Sequence, residues 1–123
     1  MSSLYQFAML LDDLVPEMVS IDGRIYLDRH RRGLAGITEA VQAYPNADEA
    51  QKWLNLVPID DLLDQVTDDW SMDDPSIEVV AAVYRRAWKA IAVSAFERNA
   101  RVDVEVLKDP DSGDVCLRLV QIA

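Results

Sequence analysis

The sequence predicts an α+β fold, with several helices packed on a small antiparallel sheet that includes a C-terminal β-hairpin. Three observations lead there. Apolar residues recur at three- and four-residue steps through much of the first hundred positions, which is the helical period. After residue 101 the period changes to two, which is the period of a strand with one buried face. Between these regimes, near the start, Asp22-Gly23 sits inside alternating apolar residues, the strongest short-range hairpin signal. A chain of 123 residues, half of them hydrophobic, forms one globular domain spanning 1–123 with a core of its own.

The first helix runs from about Ser3 to Leu14. Leu4, Phe7, Leu10, Leu11 and Leu14 mark its apolar positions, Ser3 is the candidate N-cap, and Pro16 ends it. In the next segment, MVSIDGRIYL, Val19 and Ile21 face Ile25 and Leu27 across the Asp22-Gly23 turn. A single long helix capped by Asp22 is the competing arrangement for residues 18–27. Leu34, Ile37, Ala40, Val41 and Tyr44 then predict a second helix, with Gly33 and Gly36 near its start. Pro45-Asn46 breaks the chain, and a short helix from Asn46 or Asp48 to Leu56 follows, closed by Pro58.

Asp60 and Asp61 open a helical turn that contains Ile59, Leu62, Leu63 and Val66. Asp73-Asp74-Pro75 opens the longest helix, since Asp is a good cap and proline suits the first helical position. Ile77, Val80, Ala81, Tyr84, Ala87, Trp88, Ile91, Ala95 and Phe96 form its core stripe, widened by Val79, Val83 and Val93. Arg85, Arg86 and Lys89 fall on its exposed edge. In the C-terminal hairpin, Val102, Val104 and Val106 alternate with Asp103 and Glu105. Val115, Leu117 and Leu119 alternate with Cys116 and Arg118. Asp103 or Glu105 is expected to pair with Arg118. DPDSGD connects the strands as a turn, because Gly113 falls at the wrong place for a calcium loop.

The net charge is −10, from 22 acids against 12 bases. This disfavours nucleic acid phosphates and anionic membranes, and it favours encounter with a basic partner. The charge is concentrated. Residues 24–36 carry Arg24, Arg29, Arg31 and Arg32 against Asp28, whereas residues 37–74 carry ten acids against Lys52. The densest part is DDLLDQVTDDWSMDD, residues 60–74, with seven aspartates and no base. The arginine group is expected to pair internally with this acidic middle.

No apolar run approaches the roughly 20 residues that span a bilayer. The stretch Leu4 to Leu11 has no preceding Lys or Arg and no cleavage pattern after it, which argues against a signal peptide. The single Cys116 rules out an internal disulfide and suits the reducing cytoplasm, the expected location.

Catalytic motifs are not evident. DDLLD at 60–64 is spelled like the DDxxD motif by which prenyl-transferring enzymes hold magnesium and diphosphate. The chain has no second such motif, and its length falls short of that all-helical fold. His30, in DRHRR, sits beside three arginines, whereas a general base needs a partner that orients it. Cys116 has no sign of activation, and no P-loop, Rossmann, GxSxG or zinc spacing is present.

The expectation is therefore a non-enzymatic acidic binding protein, of immunity or inhibitor type, that covers a basic toxin or nuclease active site. No catalytic residue, metal or cofactor is assigned. The partner-binding residues are Asp60, Asp61, Asp64, Asp68, Asp69, Trp70 and Asp73, with Trp70 as the anchor. Alongside it stand an adaptor, regulator or nucleic-acid-mimicking inhibitor, and a small magnesium-dependent enzyme built on the Asp-rich segment. A homodimer joined through a strand edge is a further expectation.

Overall fold

The structure, a computed structural model, describes residues 3–60, 63–64, 67, 69–96 and 101–122. Along the chain these form α1 (Ser3–Leu14), β1 (Glu17–Ile21), β2 (Arg24–Asp28), α2 (Gly33–Gln42) and α3 (Ala47–Leu54). Then come β3 (Leu56–Pro58), α4 (Ser76–Phe96), β4 (Val102–Asp109) and β5 (Asp114–Gln121). The α+β class is as the sequence predicts, with two small antiparallel sheets. One holds β1 and β2, and the other has the order β3-β5-β4.

The early hairpin forms for the reason its sequence suggests. Asp22 and Gly23 both adopt positive φ, at 51° and 80°, as a two-residue turn of matching twist demands. Ile21 therefore opposes Arg24, and Val19 opposes Tyr26. In the C-terminal hairpin Val104 opposes Leu119 and Glu105 opposes Arg118. Its connection closes with Gly113 N–H donating to the Asp109 carbonyl, and Gly113 has φ +77°.

Two readings are corrected. The short helix stops at Leu54 and does not reach Leu56. Residues 56–58 instead pair with Cys116 to Arg118 as β3, a strand too short to show any periodicity. Pro58, read as a helix breaker, is tolerated there because β3 is an edge strand. The second correction concerns α4. Val79, Val83 and Val93 do not widen its core stripe but lie on its exposed side, and Ala95 is exposed as well. Its fully buried line is Ile77, Ala81, Tyr84, Trp88 and Ala92, and the expected Val80, Ala87 and Phe96 pack against the same core half-buried.

That stripe packs on Val102, Val104, Val115, Leu117 and Leu119 of the larger sheet, with Val57 and Ile59 beside them. Ile25 and Leu27 of β2 enter the same core. Tyr26, between them, points to the other face and packs with Ile37 of α2 and Ala50 of α3. Residues 25–28 are thus buried on both faces, which accounts for the unbroken apolar run Ile25-Tyr26-Leu27. Tyr84 and Trp88 meet edge to face, with ring centroids 5.5 Å apart. Trp88 Nε1–H donates to the Asp13 carbonyl at 3.1 Å and so fastens the end of α1 to the middle of α4.

The two sheets are joined by side-chain amides. Asn55 is fully buried, just beyond α3. Its Oδ1 accepts from Leu27 N–H at 2.9 Å, and its Nδ2 donates to the Ile25 carbonyl at 2.9 Å and the Leu119 carbonyl at 3.3 Å. Its backbone carbonyl accepts from Leu119 N–H. Gln121 Oε1 takes Ile25 N–H, and Gln51 Nε2 adds a second donor to the Ile25 carbonyl. These amides fill the edge of β2 that no strand covers. Among the described residues, no buried side-chain nitrogen or oxygen lacks a partner.

The outer edge of β4 is also occupied near its start, at Val104. Asp103 Oδ1 accepts from Val104 N–H at 2.8 Å and from Arg85 Nε at 2.7 Å, while Arg85 Nη2 donates to the Val104 carbonyl at 2.9 Å. Both edge groups of Val104 are thereby taken by a clasp between α4 and β4. The pairing proposed for Arg118 falls to Glu105, at 3.8 Å, and not to Asp103. A homodimer that pairs with the β4 edge at Val104 would have to displace the clasp.

Two predictions follow from these contacts. Asn55→Ala removes the side-chain partner of Leu27 N–H and of the Leu119 carbonyl and should lower stability by about 2–4 kcal/mol, read from urea unfolding midpoints. Asp103 has its pKa lowered, first by the Val104 N–H bond and then by Arg85. A depressed carboxylate stabilises above its unfolded value of 3.8 and loses that contribution as pH falls through the folded value. The stability advantage of the native protein over Asp103→Ala should therefore shrink progressively below pH 3.8 in urea titrations.

Candidate functional site

The acidic segment runs from the end of β3 to the start of α4. After Pro58 the chain stays tied to the sheet, since Ile59 N–H donates to the Val115 carbonyl. Leu63 N–H and Thr67 N–H then donate to the carbonyls of Ile59 and Leu63, the helical pattern expected there. At the far end Asp74 Oδ1 accepts from Ser76 N–H at 2.9 Å and caps α4, with Pro75 between them.

The aspartates of the segment have distinct roles. Asp60 was expected to satisfy helix amides, but its Oδ1 accepts from Val115 N–H of β5 at 3.2 Å, continuing the edge where β3 leaves off. Asp64 is exposed, and its Oδ1 accepts from Trp70 Nε1–H at 2.7 Å. Asp69 and Asp73 are exposed, and Asp73 makes no capping bond among the described residues. Asp61 and Asp68 lie outside the described residues. Trp70 is half-buried and packs against the main core together with Met72 and Leu63. Its ring closes over the sheet–helix core while its polar edge is held by Asp64.

The cations pair elsewhere. Arg24 meets Asp48 at 2.6 Å, the one link from the arginine group to the acidic middle. Arg29 and Arg31 turn instead to Asp13 and Asp12 of α1, each at 3.3 Å. Lys108 meets Glu78 at 3.9 Å. Among the described residues, none of the aspartates at 60–74 has an ion-pair partner. The carboxylate of Asp28 has a structural task, accepting from the backbone amides of Arg32 and Gly33 at 2.8 Å and holding the start of α2.

Sequence reasoning gave no weight to Gln51 or Gln121. Both line two adjoining surface grooves of about 260 and 350 Å³ that also share Asp48. Lys52, Glu105 and Arg118 line the first, and Gly23, Arg24 and Ile122 the second. Polar residues scattered over a helix and a strand end carry no sequence signature. Their amides are already spent on one another and on β2. Gln51 Nε2 donates to Gln121 Oε1 at 2.9 Å, and Gln121 Nε2 donates to the Gly23 carbonyl at 2.8 Å.

Nucleophile chemistry finds little support in the geometry. Burial raises the pKa of Cys116, and the nearby carboxylates of Asp60 and Asp114 raise it further, so the thiol stays protonated at neutral pH. Burial, with Asp13 behind it, pushes Tyr84 up to about 12. His30 is exposed on the turn after β2. Among the described residues, no three His, Cys, Asp or Glu side chains converge as a metal site, and no helix is long and apolar enough to cross a membrane. No family model, curated protein or solved structure matches this chain.

The packing of Trp70 separates it from the exposed Trp53. Trp70→Ala should cost about 2 kcal/mol or more, whereas Trp53→Ala should stay within about 1 kcal/mol, both measured by chemical denaturation.

Proposed function

We propose that this is a non-catalytic acidic binding protein whose 60–74 segment covers a basic surface on a protein partner, of the kind a toxin or nuclease active site presents. One observation carries the reading. Asp64, Asp69 and Asp73 are exposed and have no counter-ion among the described residues, although six bases there form ion pairs elsewhere. Such carboxylates remain available to a cation from outside, and they steer encounter over distances of a Debye length or so. Trp70 lies beside them with its indole N–H held by Asp64, so it offers a fixed apolar surface flanked by charge. Asp60, engaged by β5, positions the segment more than it contacts a partner. The mechanism is occlusion, steric and electrostatic, in the cytoplasm.

Affinity capture at low and then moderate salt tests this. The expected result is a basic partner whose binding weakens with salt and weakens about tenfold or more when Asp64, Asp68 and Asp69 are changed together to Asn. Binding indifferent to salt and to those substitutions would overturn the electrostatic mechanism. Tight magnesium binding by calorimetry, lost on the same substitutions, would favour a metal-dependent enzyme.

A further inference from the structure

We propose that the chain forms a twofold dimer in which α1 of each copy lies on the outward face of α4 of the other. The outward face of α4 is apolar except for Arg86 and Lys89, and no described residue covers it. Val79, Val83 and Val93 are 64%, 43% and 47% exposed, with Ala82 and Ala90 exposed among them. Positions 79, 83, 86, 90 and 93 follow four- and three-residue steps and so make one stripe, opposite the buried stripe of Ile77, Ala81, Tyr84, Trp88 and Ala92. Helix α1 has the matching feature. Leu4, Leu11 and Val15 are 75%, 42% and 62% exposed, and with exposed Ala8 they too advance by four, three and four residues. Val15 still donates its N–H to the Leu11 carbonyl, so the stripe is continuous.

Charge selects the occupant. The α4 face carries Arg86 and Lys89, exposed and without an ion pair among the described residues, in a chain of net charge −10. Two α4 faces packed antiparallel about the centre of the stripe would bring Arg86 against its own copy, at a cost. The α1 segment carries no base, and of its two acids Asp13 is buried against Arg29 while Asp12 is exposed. Asp12 is exposed beside its stripe and meets only Arg31, at 3.3 Å, among the described residues. An α1 face is therefore complementary to an α4 face in both apolar spacing and charge. The two helices adjoin through the Trp88–Asp13 hydrogen bond, so a single twofold axis beside them pairs each α1 with the other copy's α4. None of the 60–74 residues takes part, so this surface stands or falls apart from the proposed acidic site.

Sedimentation equilibrium on the full chain tests the arrangement. The native chain is expected to be dimeric. Leu11→Glu and Val83→Glu should each weaken the dimer about tenfold or more, with helix content unchanged by circular dichroism. Arg86→Glu, a second probe of α4 that disturbs no packing, should weaken it in the same sense. An equimolar mixture of Leu11→Lys and Val83→Glu chains should associate more tightly than either alone, because one α1–α4 contact in the mixed dimer keeps both native residues and the other sets opposite charges face to face. A native chain still monomeric at roughly 100 μM would overturn the proposal. So would an effect of Val83→Glu with none from Leu11→Glu, or a mixture no tighter than its parents.

Discussion

Asn55 stands where three stretches of chain distant in sequence come together, and its amide serves hydrogen-bonding groups from two sheets at once. Oδ1 satisfies Leu27, and Nδ2 satisfies both Ile25 and Leu119. A strand laid against β2 could meet the same groups, but β2 pairs only with β1. An amide is suited to the gap, because it presents a donor and an acceptor side by side as a peptide does. A buried edge group left unsatisfied costs roughly 1–3 kcal/mol, so the burial of Leu27 in the main core leans on this one residue. Gln51 and Gln121 extend the splice toward the surface, where water competes and each bond matters less.

Around that splice, β2 divides the interior. Its Ile25 and Leu27 belong to the core under α4, and its Tyr26 belongs to the smaller core with α2 and α3. The ion pairs tie the periphery to the same strand and its flanks, with Arg24 reaching α3 and Arg29 reaching α1. Such pairs are mostly exposed and each is worth little. Their larger effect is on the charge map. By spending arginines on α1 and α3 they leave Asp64, Asp69 and Asp73 without a counter-ion among the described residues.

Elements with a strong local cause were legible in the sequence. Asp22-Gly23 specified a hairpin through its φ angles, DPDSGD specified a turn, and Asp74-Pro75 specified the start of α4. What failed did so because the cause was tertiary. Leu56 to Pro58 form a strand only because Cys116 to Arg118 lie alongside. Val79, Val83 and Val93 are as hydrophobic as their buried neighbours, so composition cannot say which side of α4 meets the sheet. Asp60 looked like a helix cap, yet its nearest orphan amide proved to be Val115, fifty-five residues on. Of the candidate site, the acidity was visible from composition. The hold of Asp64 on Trp70, and the absence of counter-ions among the described residues, required the fold.

The clasp between Arg85 and Asp103 has a bearing on how the protein fails. It performs two tasks with one set of atoms, docking α4 onto β4 and closing the strand's outer edge at Val104. Undocking of the helix and exposure of a sticky, valine-rich strand are therefore a single event. A partial opening that lifts α4 away uncovers the apolar face of the sheet and unguards its edge at the same moment. Misassembly should accordingly begin from that opened form, with a rate set by how often the helix lifts and not by the slower loss of the whole fold.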